Sequence, residues 1–83
     1  MKLGKDFEFK DKDGFIYEIT YAENEGTFEG GILKRYMLNS PSKPLYFFRK
    51  CEERLELFSL LGYGRSLRDI PPNLTKQILS HYN

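Results

Sequence analysis

Tryptophan is absent from this chain of 83 residues, and cysteine and histidine occur once each. No long apolar run is present either, and the longest unbroken stretch is Leu45 to Phe48. Each shortage excludes something. A single Cys51 cannot form an intramolecular disulfide, and a lone thiol fits a reducing compartment better than a secreted framework. Four apolar residues in a row fall far short of the ~18 that a membrane-spanning helix needs. The segment Met1-Lys2-Leu3-Gly4-Lys5-Asp6 offers no apolar core for a secretory signal, so a cytoplasmic location without membrane association is expected. Asn73-Leu74-Thr75 matches the glycosylation acceptor pattern, which has no meaning without secretion.

The same poverty bears on chemistry. General acid–base catalysis usually uses a side chain that titrates near neutrality, and His81 is the one such group. A Cys51–His81 dyad is conceivable, but no third group orients the base, so no catalytic residue and no enzyme activity is expected. One Cys and one His cannot close a zinc site, which takes about four ligands, or three with water. Asp11-Lys12-Asp13-Gly14 has the look of a calcium-loop start, yet Ala22 stands at the twelfth position, where a glutamate belongs. No metal and no cofactor are expected.

What the chain does have is aromatic side chains and charge of both signs. Seven Phe and six Tyr within 40% hydrophobic content argue against disorder and supply the core of one domain, residues 1–83. The formal net charge is only +1, which argues against bulk attraction to nucleic acid or anionic membrane. That total conceals a split. Residues 1–30 carry four basic and eight acidic side chains, whereas residues 31–83 carry nine basic and four acidic. Between residues 31 and 51 there are Lys34, Arg35, Lys43, Arg49 and Lys50, and no acid.

The N-terminal third alternates with period two. Phe7 and Phe9, then Phe15, Tyr17, Ile19 and Tyr21, form one apolar face of a hairpin. A three-residue loop, Lys12-Asp13-Gly14, sets Phe9 against Tyr17 and Phe7 against Ile19, whereas a two-residue loop would set Phe9 against Glu18. A one-residue slip would swap the faces, so burial selects the longer loop, with Gly14 left-handed. A second hairpin is expected from Ile32–Leu38 and Leu45–Lys50, with Gly30-Gly31 before it as a turn or bulge. A six-residue loop, 39–44, would place Leu38 against Leu45, Tyr36 against Phe47 and Lys34 against Arg49. Both faces of that hairpin are then largely apolar and call for cover on each side.

The last third is expected to supply helices. Residues 52–61 have acids first, Gly62 after the end, and Leu57, Leu60 and Leu61 on one helical face. Alternation through Leu55, Leu57 and Leu61 keeps a strand open as a second reading. Ser66-Leu67-Arg68-Asp69 matches a capping box, and Pro71-Pro72 opens a short helix to about Tyr82 that buries Leu74, Ile78, Leu79 and Tyr82. The expected fold is α+β: a small antiparallel sheet of three to four strands, in two β-hairpins, followed by two short C-terminal helices packed on it.

Two binding sites suggest themselves. The first is the basic strip, with Lys34, Arg35, Arg49 and Lys50 beside Tyr46 and Phe48 as stacking surfaces. Like charges at Lys34 and Arg49 would need relief, either from acids of the preceding loop (Glu23, Glu25, Glu29) or from phosphates of a partner. The second is a Gly-rich anion loop of Gly62, Gly64, Arg65, Ser66 and Arg68. The composition favours a non-enzymatic protein-interaction or regulatory module, with Tyr and Arg as interface anchors. An RNA or single-stranded DNA binding module centred on residues 34–50 is the alternative. Two-sided apolar strands also admit a homo-oligomer.

Overall fold

The computed structural model describes residues 1–23, 29–41, 44–59, 64–65 and 70–83. Six strands pair in chain order as an antiparallel meander: β1 (Phe7–Lys10), β2 (Phe15–Tyr21), β3 (Gly30–Met37), β4 (Leu45–Cys51), β5 (Arg54–Ser59) and the two-residue β6 (Gly64–Arg65). The helix found among the described residues is α1 (Pro72–Ser80). The architecture is therefore α+β, with more strands than expected and, among the described residues, one helix instead of two.

The first hairpin follows burial. Phe7 lies opposite Ile19 and Phe9 opposite Tyr17. Asp11 and Phe15 close the three-residue loop, where Gly14 takes φ 92°. The Asp11 carboxylate accepts from the backbone N–H groups of Asp13 and Phe15 at 2.8 and 3.1 Å, which fixes the turn from its entrance.

The second hairpin departs from expectation in register. Lys34 pairs with Leu45, Ile32 with Phe47 and Gly30 with Arg49, a slip of four residues. An even slip leaves every side chain on its expected face while changing all its neighbours. Two features select this register. Gly31 lies opposite Phe48, and a Cβ there would come within 2.8 Å of the Phe48 ring, so the aromatic ring occupies space that only glycine leaves open. The slip also removes the opposition of Lys34 to Arg49, so that each is left facing only the acid of its other neighbouring strand, Glu18 on β2 and Glu56 on β5. Gly30-Gly31 thus belongs to β3 and forms neither turn nor bulge. Beyond Arg35, β3 continues to Met37 paired with β2 alone, and the chain turns at Met37–Ser40 with Asn39 at φ 70°.

The helix expected over residues 52–61 is a strand as far as Ser59. Glu52-Glu53 forms a two-residue hairpin turn between Cys51 and Arg54, with Glu52 at φ 57°. Leu55 and Leu57 then alternate inward and are buried, whereas Glu56 and Phe58 point to the other face. Tertiary pairing decides here: a strand completes the hydrogen bonds of β4, which a helix of the same residues could not do. The expected capping box at 66–69 lies outside the described residues.

Among the described residues, ten buried hydrophobic side chains form the core, and they sit on or against one face of the sheet. They are Tyr17, Ile19 and Tyr21 of β2, Leu33 of β3, Phe48 of β4, Leu55 and Leu57 of β5, and Ile70, Leu74 and Ile78 from the helical layer. Leu74 and Ile78 are one helical turn apart and fully buried, with Leu79 and Tyr82 partly buried beside them. The Tyr21 hydroxyl donates to the Ile78 carbonyl at 2.5 Å. Tyr21, Phe48 and Tyr82 meet edge to face, with ring centroids 5.0 to 6.4 Å apart. The ends of the chain seal this layer. Leu3 N–H donates to Ala22, Lys5 N–H to His81, and Asn83 N–H to Leu3, at 2.8 to 3.0 Å.

Candidate functional site

The opposite face of the sheet carries no helix among the described residues. Its centre is apolar: Ile32 faces Phe47, Phe47 faces Phe58, and Leu45 lies two residues along the same strand. Ile32, Leu45 and Phe47 are 40%, 36% and 38% exposed. The cover expected on this side is therefore missing from the described structure. Exposed single apolar residues are ordinary, but here they adjoin one another.

Charge pairs flank this centre. Lys34 lies 3.8 Å from Glu18, and the Arg49 guanidinium donates to Glu56 at 3.0 Å. The acids expected to relieve the basic strip act elsewhere. Glu23 pairs with the N-terminal ammonium, Glu29 lends its backbone carbonyl to Lys50 and Tyr82, and Glu25 lies outside the described residues. The guanidinium of Arg49 also lies over the Phe58 ring at 5.3 Å. Cys51 completes this cluster. Its thiol is pushed up first by its hydrogen bond to Glu56 and then by desolvation. The Glu56 carboxyl is held down by that same thiol and by Arg49. A protonated thiol is a weak nucleophile. His81 stands elsewhere, its ring 4.2 Å from that of Phe7 and its Nδ1 3.3 Å from the Lys5 carbonyl.

The six strip residues divide between the two faces. Lys34 and Arg49 are on the open face, whereas Arg35, Tyr46, Phe48 and Lys50 point to the helix side. Phe48 is fully buried and has no free face for a base. The Lys50 ammonium sits 5.2 Å over the Tyr82 ring, and that phenol is pushed up to about 12 by burial and then by Glu29. Tyr46 is half-buried against the core. Of the Gly-rich loop, Gly64 and Arg65 form β6 opposite Phe58 and Leu57, while Gly62, Ser66 and Arg68 lie outside the described residues.

Arg35 stands at the end of the helix-side face that α1 leaves uncovered. There the β1–β2 turn and the start of α1 enclose a cleft of about 670 Å³. The guanidinium lies 4.1 Å over the Phe15 ring, and its Nε is buried without a hydrogen-bond partner. The Tyr17 phenol is raised by burial, and Arg35 lowers it against Asp11, which raises it.

Sequence reasoning missed Ile32, Leu45, Phe47 and Phe58 as a surface, and Glu18 and Glu56 as the charges that answer Lys34 and Arg49. The signal was present in the alternation of Phe47 with Phe48, which assigns the two rings to opposite faces. Among the described residues no helix is long and apolar enough to cross a membrane. The chain matches no known protein family, no curated protein and no solved structure.

Proposed function

We propose that this protein is a small non-enzymatic protein-interaction or regulatory module that grips a protein partner with the open face of its sheet. One observation carries the reading: Ile32, Leu45 and Phe47 form a contiguous exposed apolar centre bordered by the Lys34–Glu18 and Arg49–Glu56 pairs. An apolar centre with a polar, charge-balanced rim is the usual composition of a protein interface. Arg49 and Phe47 are of the residue types that anchor such contacts. A second copy of the chain is one partner of this kind.

Binding of RNA or single-stranded DNA through residues 34–50 has less support. Phe48 is inside the core, and both Lys34 and Arg49 already face a carboxylate. The test places a photo-crosslinking side chain at Phe47 and, as a control, at Lys12 on the hairpin turn. Irradiation in an extract of the source cells should give discrete protein adducts from position 47 only, and Phe47→Glu should abolish co-purification of the same species. Identical adducts from both positions would overturn the reading. So would nucleic-acid binding that falls steeply with salt and with Arg49→Ala.

A further inference from the structure

We propose that the cleft around Arg35 is a binding site for a small organic carboxylate with a flat apolar body. The cleft opens on the helix side of the sheet, away from Phe47, so this site stands apart from the interaction face. Arg35 is held there by the Phe15 ring and by the Tyr17 phenol, which accepts a hydrogen bond from its guanidinium, and it has no ion-pair partner among the described residues. Its guanidinium lies over the Phe15 ring, with its carbon 4.1 Å from the ring centroid and 6.0 Å from that of Tyr17. Stacking engages the face of a guanidinium and leaves its edge donors for an in-plane acceptor. One of those donors, Nε, is already withdrawn from water and meets no acceptor. No carboxylate among the described residues lies within ion-pair distance of Arg35. Nε itself stays beneath the surface, and a planar carboxylate entering the cleft would approach the outer Nη donors edge-on.

The walls and the charge balance decide what carries that carboxylate. Phe9, Phe15, Tyr17 and Ile70 give the cleft an apolar lining suited to a flat body, and its volume lies within the range of small-molecule sites. Lys10 and Lys12 add positive charge at the rim, but Asp11 and Asp13 stand beside them. Lys10 is answered by Glu8 at 3.8 Å, so Arg35 and Lys12 stand against Asp11 and Asp13, a balance that a monoanion disturbs less than a dianion. A phosphate dianion would meet the two aspartates with greater repulsion. Asp11 does not compete for Arg35 freely, because one of its oxygens already accepts two backbone N–H groups of the turn.

Benzoate, titrated into the full chain and followed by amide and side-chain NMR, tests this. Saturable shifts are expected at the Arg35 Nε–H and at the amides of Lys12 and Asn73. Benzamide and inorganic phosphate should each bind at least about tenfold more weakly. Arg35→Gln should also lose at least about tenfold, as expected for a charge-assisted bidentate contact. Arg35→Lys, which keeps the charge without the fork, should fall between and serves if Arg35→Gln does not fold. The proposal is overturned if benzoate gives no saturable shift at the cleft, if benzamide or phosphate binds as tightly, or if Arg35→Lys binds benzoate like the unaltered chain.

Discussion

Phe47 and Phe48 are neighbours in sequence and opposites in situation. Phe48 has 0% of its surface exposed, sits over Gly31 and touches Tyr21 and Tyr82; Phe47 is 38% exposed between Ile32 and Phe58. The helix-side face joins β2 through β5 to α1 in one aromatic-rich core. The open face has the same strands and similar residues, but its apolar side chains meet solvent and its charges pair across strands. A small sheet needs one helix-covered face to hold together, and the other face is left without that cover among the described residues.

The largest expected effect separates the two rings directly. Phe48→Ala should cost about 3 to 5 kcal/mol in denaturant unfolding, because a large buried ring leaves a cavity. Phe47→Ala should cost less than about 1 kcal/mol. Equal costs would break the comparison and mean that the open face is covered in solution. A smaller effect probes how the covered face is packed. Gly31→Ala brings a methyl group within 2.8 Å of the Phe48 ring and onto the Thr20 carbonyl, and a loss of about 1 to 3 kcal/mol is expected. No loss would mean that the ring moves aside easily.

The smallest effect lies at the seam between the N-terminal segment and β2. Asp6 accepts from the Tyr21 N–H at 2.9 Å and pairs with Lys2. Burial acts to raise the Asp6 carboxyl, but Lys2 and the Tyr21 N–H outweigh it and hold the pKa below the ordinary value. A lowered folded-state pKa contributes stability above the unfolded carboxyl value, and that contribution is lost as pH falls through the folded one. Asp6→Asn, which keeps an acceptor for Tyr21, should cost less than about 1 kcal/mol near neutrality and flatten the stability profile below about pH 4. Melting curves at several acidic pH values measure it, and an unchanged slope would remove Asp6 from the acid response.

Much of this arrangement was legible in the residues. Period two in Phe15 to Tyr21 fixed a strand, and the cost of burying Glu18 selected the turn. Pro71-Pro72 with Leu74 and Ile78 marked the helix. The second hairpin was harder because both of its faces are apolar, so alternation alone could not set its register. What did set it was a glycine needed beneath an aromatic ring, which depends on a three-dimensional neighbour. Residues 52–59 were misjudged for a related reason. Leucines at short spacing satisfy either period, and the unpaired edge of β4 made the choice. The exposed apolar face was least legible, since exposure of Phe47 follows from α1 covering the other side.

The order of the sheet has a consequence for how the molecule assembles. Each strand pairs with the next in sequence, so the meander can grow hairpin by hairpin with short loop closures. The contacts of Tyr21 with Ile78 and of residues 3–5 with 81–83 bridge most of the chain and cannot form until the sheet and helix have met. Weakening them should leave the folding rate nearly unchanged and quicken unfolding, which makes this clasp the determinant of how long the native state lasts once formed.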